Sequence, residues 1–235
     1  MNSRYLCPFC GFCSNELALI GSASPRLYGQ AVIGSGRRNG QCPKCRASDR
    51  EKLIYLYLYY ELRIFFQRNI RILHIAPENL LGQELLDGSF TEYIAADLFD
   101  KNYSYPAHVI FMDLLDISFP EGYFDLVICN HVLEHIQKDL LAMSNIYRVL
   151  KTQGRAILQV PISRNNEFTI EDSSIIDPVD REYHYGQTDH VRLYGQDYPD
   201  RLAKVGFEVE RLNIFKKYPR AGTNPFEDIF VGIKR

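Results

Sequence analysis

The sequence predicts an α/β protein in which a largely parallel sheet is covered on both faces and preceded by a small cysteine-rich module. Three observations carry this reading. From Asn69 onward, short apolar runs alternate with helical stretches, the rhythm of βαβ units whose strands are buried on both faces. Five of the six cysteines lie in the first 45 residues. The charge divides at the same place: residues 1–50 carry seven Lys or Arg against two acids, a balance of +5, while the other 185 residues carry 20 against 27, a balance of −7.

At 235 residues the chain has room for one ordinary domain and an appendage. A composition of 46% hydrophobic and 24% charged residues excludes a disordered or collagen-like chain. The longest apolar stretch, Leu53 to Tyr60, is far short of the roughly 20 residues a bilayer needs, so no membrane span is expected. Met1-Asn2-Ser3-Arg4-Tyr5 runs into Cys7 without an apolar segment, and the expectation is a cytoplasmic chain in a reducing environment. A basic head suits nucleic acid, phosphate or the acidic body of its own chain, and charge alone does not choose.

The front module is read from its thiols. Cys7-Pro8-Phe9-Cys10 and Cys42-Pro43-Lys44-Cys45 are two Cys-x-x-Cys pairs. In a reducing compartment such pairs hold zinc, because each tight turn offers two thiolates to one tetrahedral ion. Cys7, Cys10, Cys42 and Cys45 are the expected ligands of one structural zinc in a zinc-ribbon-like module over residues 1–50. Cys13 stands at the same spacing from Cys10 and competes for its place. The 31 residues between the pairs exceed the usual ribbon spacing. Four protein ligands leave the ion no open position, so its role would be folding.

Ser48-Asp49-Arg50-Glu51 has the capping-box pattern and predicts a helix running to about Gln67, a linker over 51–68. Its Tyr55, Tyr57, Tyr59, Tyr60, Phe65 and Phe66 suit packing between two domains better than a stacking platform for bases. Five strands follow at Arg71–Ile75, Tyr93–Ala96, Val109–Met112, Phe124–Cys129 and Arg155–Val160. Between the last two, Asp139 to Lys151 places Leu140, Met143, Ile146, Val149 and Leu150 on one helical face, with Gly154 as its stop. A short helix over Asp200–Val205 and closing strands at Phe207–Leu212 and Ile229–Ile233 complete the pattern.

In open α/β sheets, ligands bind beyond the carboxyl ends of the strands. Here those ends are His74-Ile75-Ala76-Pro77-Glu78, then Asp97 beside Leu98, then Asp113, then Asn130-His131. Asp97 lies 22 residues after Ile75, the spacing at which an acid accepts hydrogen bonds from a ribose.

Phe124-Asp125-Leu126-Val127-Ile128-Cys129-Asn130-His131-Val132-Leu133-Glu134-His135-Ile136, followed by Ile146-Tyr147-Arg148-Val149-Leu150-Lys151 and Gly154, resembles the fourth strand and following helix of class I S-adenosylmethionine-dependent methyltransferases of the type 11 kind. The resemblance spans roughly residues 69–235. It implies a Rossmann-like seven-stranded sheet with S-adenosylmethionine as cofactor. It places the ribose-binding acid at Asp97, the adenine-binding acid at Asp113 with Leu114 following, and the methionine end of the cofactor at Asn130 and His131. The family's Gly-x-Gly-x-Gly turn is replaced here by His74-Ile75-Ala76-Pro77-Glu78-Asn79-Leu80. Glycine allows positive φ and close approach. In this turn Ala76 is small enough to approach the cofactor, Glu78 is within reach of its ammonium group, and His74 is expected among the cofactor-binding residues as the one that holds the turn.

The run from Thr169 to Asp172, then Gly186-Gln187, Asp189-His190-Val191-Arg192-Leu193-Tyr194-Gly195 and Asp197-Tyr198 is similar to a bacterial subgroup associated with surface-glycan or glycolipid synthesis. Residues 161–195 show little periodicity and read as a lid over the acceptor. His190 on that lid and His131 after the fourth strand are the candidate bases. Glu134 and His135 are expected to diverge as neighbours do. Arg164, Arg181 and Arg192 either hold an acceptor's phosphate or carboxylate or pair with nearby acids.

The resemblance thus implies O-methylation of a sugar, nucleotide-sugar or lipid-linked glycan. Two alternatives stand beside it: an RNA methyltransferase recruited through the basic zinc module, and a non-catalytic interaction module.

Overall fold

The computed structural model describes residues 3–101 and 104–235. Met1 and Asn2, part of the N-terminal segment that carries the expectation of a cytoplasmic chain, lie outside the described residues, as do Asn102 and Tyr103.

Seven of the apolar runs become one sheet. Its strands are β1 (Arg71–Ile75), β2 (Glu92–Asp97), β3 (Val109–Phe111), β4 (Phe124–Asn130), β5 (Leu150–Gln159), β6 (Glu208–Leu212) and β7 (Ile229–Ile233). They lie in the order β6-β7-β5-β4-β1-β2-β3. The five strands from β5 to β3 run parallel, and β7 pairs antiparallel with both β5 and β6. The strand order reverses between β1 and β4, and a crevice opens at such a point.

Alternation of side chains along each strand fills two apolar layers. Leu73, Ile75, Val127, Cys129, Ala156 and Leu158 face helix α4 (Asp139–Val149) and helix α6 (Tyr198–Lys204). Ile72, Leu126, Ile128, Ile157, Ile229 and Val231 face helix α2 (Asp49–Leu56) and helix α3 (Asn79–Leu86). Each large aliphatic side chain buried this way contributes about 1.5–3 kcal/mol, and both layers are continuous.

Three expectations are corrected. The helix opened by Ser48 does form its capping box, but regular α-helix ends at Leu56. It widens into a π turn over Tyr57–Glu61 and breaks at Arg63, whose φ is 53°. The crowded aromatic run explains the break: Tyr55, Tyr59 and Phe65 pack on one another with ring centroids 5.6–5.9 Å apart, which one regular helical face does not permit. Gly154 does not stop a helix. Helix α4 ends at Val149, and Gly154 sits inside β5 where its register shifts. A methyl there would meet the Lys151 carbonyl oxygen at 2.8 Å. Residues 161–195 are not irregular: they contain helix α5 (Pro178–Tyr185) and a strand pair, Ile170–Glu171 with Arg192–Leu193.

The head is fastened to this body at several points. Short strands Tyr5–Leu6 and Cys13–Ser14 pair, as do Ala18–Ile20 and Arg38–Gln41, with the short helix α1 (Pro25–Gly29) between the latter two. The Leu6 amide donates to the Arg220 carbonyl (2.7 Å) and the buried Lys52 ammonium to that of Gly222 (2.8 Å). Val32–Ile33 pairs with Ile162–Ser163. Arg38 makes two bonds of 2.6 and 2.7 Å to Asp49.

Candidate active site

The four cysteines of the two pairs converge. Their sulfurs all lie within 4.8 Å of one another, with Cys7 and Cys45 at 3.6 Å and Cys10 and Cys42 at 3.8 Å. Each pair is a turn of the same form. The Gly11 amide donates to the Cys7 carbonyl and the Arg46 amide to that of Cys42, both left-handed at φ 67° and 69°. Cys13 is exposed and outside the cluster.

One residue connects this cluster to the sheet's open end. Glu51 accepts from the Ser48 amide through Oε2 and from the Leu80 amide, in the first turn of α3, through Oε1. Glu78, the N-cap of α3, makes no side-chain capping bond, so Glu51 takes over an otherwise orphan donor there. Leu80 in turn packs on the cysteine cluster.

The tips of β1 and β4 share an unusual backbone. Ala76 (φ 48°) follows β1 and His131 (φ 56°) follows β4, both left-handed without being glycine, a conformation held only where surrounding structure fixes it. The Ala76 amide donates to the Ala96 carbonyl and that of His131 to Gln159. The positive φ that glycine would supply is therefore taken by Ala76, directly before Pro77.

Between these tips opens a cavity of about 1110 Å³, large for a site of one small molecule, which takes about 300–1,000 Å³. Ala76, Glu78, Asp97, Leu98, Asp113 and Leu114 line one part of it, with apolar Ile75, Val109 and Met112. His131, His135, Gln137 and Asp189 line the other. Asp97 Oδ1 accepts from the Phe99 amide at 3.4 Å and Asp113 Oδ1 from that of Leu115 at 2.8 Å.

Two residues expected at the cofactor, His74 and Asn130, do not line the cavity. They hold Glu78 instead. His74 is fully buried, with Nε2 at 2.9 Å from Glu78 Oε2 and Nδ1 at 3.0 Å from the Tyr93 hydroxyl. Burial pushes the Tyr93 phenol up, so the group paired with Nδ1 is a neutral hydroxyl. The Asn130 amide donates to Glu78 Oε1 at 3.1 Å. Burial alone would push the Glu78 carboxyl up, but His74 and Asn130 outweigh it and hold it below the usual range. The cavity wall therefore carries a fixed anion.

The two candidate bases part company. His131 faces the cavity, and burial, aided by Arg50, draws its imidazole down to about 4. His190 is 2% exposed and lies behind His135, their ring centroids 4.8 Å apart, because the pairing of residues 170–171 with 192–193 draws it inward. Arg192 is equally buried and donates to the Leu133, Ile136 and Gln137 carbonyls and to Glu171. It fastens a turn and is not free for an acceptor. Arg181 donates to the Ile175 carbonyl, and Arg164 stacks on Phe226.

The expected divergence of Glu134 and His135 is overturned. Both sit in one tight turn over Leu133–His135, with Glu134 Oε1 at 3.9 Å from His135 Nε2. Glu227 was missed altogether. It is 4% exposed, and burial, with Asp49 nearby, pushes its carboxyl up to about 7. A methyl on Gly34 would meet His131 Cε1 at 3.1 Å and Glu227 Oε1 at 3.3 Å, so the head reaches the histidine end of the cavity through a glycine. Glu227 lies on the connection into β7 and carries no sequence motif, which leaves nothing to find it by.

The fold is similar to a methyltransferase from Archaeoglobus fulgidus, with 15% identity over 78% of this chain and 94% of that one at a TM-score of 0.51. It is likewise similar to the 1,6-didemethyltoxoflavin-N1-methyltransferase of Burkholderia thailandensis, solved with S-adenosylhomocysteine (16% identity, 79% and 76% covered, TM-score 0.50). The [4+2]-cyclase SpnF shares the architecture as well (13% identity, 91% and 97% covered, TM-score 0.51), so the fold by itself does not name a reaction. No curated protein sequence matches this one. Residues 83–158 match the family described as methyltransferase domain. That match lies within a fold shared with S-adenosylmethionine-dependent methyltransferases. The seven-stranded order and the cavity beyond the strand tips fit that cofactor, and the four convergent thiols suit one structural zinc. Among the described residues no helix is long and apolar enough to cross a membrane.

Proposed function

We propose that the domain methylates a hydroxyl group on a small polar acceptor, of the sugar, nucleotide-sugar or lipid-linked glycan class. One observation carries the reading: a single cavity is lined both by the strand-end carboxylates Glu78, Asp97 and Asp113 and by the turn residues His131, His135 and Gln137 with Asp189. In this reading Asp97 accepts from the cofactor's ribose, Asp113 with Leu114 borders the adenine, and Glu78 meets the ammonium group. His74 and Asn130 act through Glu78.

S-adenosylmethionine supplies an electrophilic methyl group bound to a sulfonium sulfur. The chain must hold an acceptor oxygen in line with the sulfur–methyl bond and keep water out. Such orientation supplies up to roughly 7–11 kcal/mol of a barrier. As the oxygen–carbon bond forms, the carbon–sulfur pair returns to sulfur and the hydroxyl proton leaves. His131 is the base at the cavity wall, neutral at pH 7 and so able to accept that proton. His190, enclosed behind His135, is a positioning residue.

Internal pairing of Arg38 with Asp49, and of Arg26 with the His184 carbonyl, removes part of the basic surface that an RNA would need, which favours the small acceptor. Calorimetric titration of S-adenosylmethionine into wild type and Asp97→Ala tests the assignment. Loss of two hydrogen bonds to a charged group, at about 1.5–3 kcal/mol each, gives a fall of 100-fold or more. Equal affinities would remove Asp97 from the site.

A further inference from the structure

Glu134, His135 and His190 form a cluster whose shared geometry the methyltransferase reading does not explain. Their ligand atoms all lie within 4.8 Å of one another. Glu134 is 2% exposed, and its Oε2 is buried without a hydrogen-bond partner. An orphan acceptor of this kind is expensive in a protein interior. Its other oxygen stands 3.6 Å from His131 Nδ1 and 3.9 Å from His135 Nε2, too far for ordinary hydrogen bonds. Among the described residues, Glu134 ion-pairs with histidines and with no Lys or Arg.

The surroundings hold this geometry in place. Arg192 bonds to the carbonyls of Leu133, Ile136 and Gln137 on either side of the turn. The Val191 amide donates to the Glu134 carbonyl at 2.9 Å, which ties His190 to the turn that carries the other two groups. His135 is one-third exposed and faces the cavity, with its Nδ1 3.3 Å from Asp189 Oδ2.

We propose that Glu134, His135 and His190 bind a divalent first-row transition cation at the acceptor end of the methyltransferase cavity. Two imidazoles and one carboxylate suit zinc, manganese, iron or cobalt, and three protein ligands leave open positions, as sites that act on a substrate do. Ligand atoms around a tetrahedral zinc with bonds of about 2.0–2.1 Å sit about 3.3 Å apart, close to the spacing of up to 4.8 Å found here. Where the acceptor is a hydroxyl, which rests on the reading above, a cation here favours its deprotonation by stabilising the anion. This site is open and oxygen- and nitrogen-lined, whereas the cysteine cluster is closed and all sulfur.

Cobalt(II) loading of the full chain separates the two sites. Wild type is expected to hold two cobalt ions, of which one shows the ultraviolet thiolate-to-cobalt band. Glu134→Gln and His135→Gln are expected to hold one, with that band unchanged and S-adenosylmethionine binding retained by calorimetry. His135→Gln changes a partly exposed ring, so it keeps the test valid should the buried Glu134→Gln fail to fold. One cobalt in the wild type, or two in folded His135→Gln, overturns the proposal. Wild type that binds two cobalt ions and no S-adenosylmethionine would instead overturn the methyltransferase assignment and leave this site standing.

Discussion

The cysteine cluster and the Glu134–His135–His190 cluster are built by opposite routes. The first takes its groups from two tight turns, each a local Cys-Pro-x-Cys, and it needs only that the turns meet. The second takes two groups from one turn and the third from a residue 55 positions later, drawn in by Arg192 and a two-residue strand pair. Local geometry forms the first; long-range packing forms the second. Damage to the first should therefore undo the head, and damage to the second should spare the fold and change the cavity.

The largest effect is expected at the cysteines. Structural zinc contributes roughly 10–16 kcal/mol to folding in small zinc modules, so Cys42→Ala should release the ion and unfold the head. Metal analysis and thermal melting measure both. Because Glu51 and Leu80 link the head to the first turn of α3, affinity for S-adenosylmethionine should fall in the same variant. Cys13→Ser should change neither. Zinc loss in that variant would show that the ligand set is wrong.

Next in size is Glu227, where the head meets the histidine end. Its folded carboxyl, raised to about 7, binds a proton that the unfolded chain has already lost above about 4.5. The folded state then binds more protons than the unfolded one, and stability falls as pH rises from about 4.5 to 7. Glu227→Gln should remove that slope and raise stability at pH 8, by at most roughly 3 kcal/mol at 1.36 kcal/mol per unit. Urea titrations at pH 4.5 and pH 8 would read it. A benefit equal at both values would show that Glu227 is already ionised throughout.

His190→Ala should cost about 2 kcal/mol, the range for truncating a buried side chain, while the chain stays folded and binds S-adenosylmethionine. Complete loss of folding would make the second cluster a structural element like the first. The smallest effect is expected for Gly34→Ala. A non-glycine residue at φ +83° costs on the order of 1 kcal/mol, and its methyl would press on His131 and Glu227. Methyl transfer should slow more than stability drops, and the reverse result would detach the head from the acceptor end.

How legible the molecule was depends on how local each feature is. β1 and β7 are read residue for residue, and the others to within one residue at each end save β5, which starts five residues before Arg155, since a doubly buried strand writes its run of Ile, Leu and Val directly into the chain. The capping box of Ser48 and Glu51 was equally plain, but the break at Arg63 was not, because it comes from rings that meet only when packed. The glycine-poor turn looked stiff, yet Ala76 takes the left-handed position itself. His74 and Asn130 were placed at the cofactor, but the structure turns both toward Glu78.

By itself the sequence determined the layer pattern, the two thiol pairs and the acids that end β2 and β3, for each is written in residues adjacent or regularly spaced along the chain. Tertiary structure alone decided that His190 lies behind His135, that Glu51 caps α3 and that Gly34 separates His131 from Glu227. Those relations join segments tens to nearly two hundred residues apart, and only the closing of the sheet and its covering layers brings them within a few ångströms.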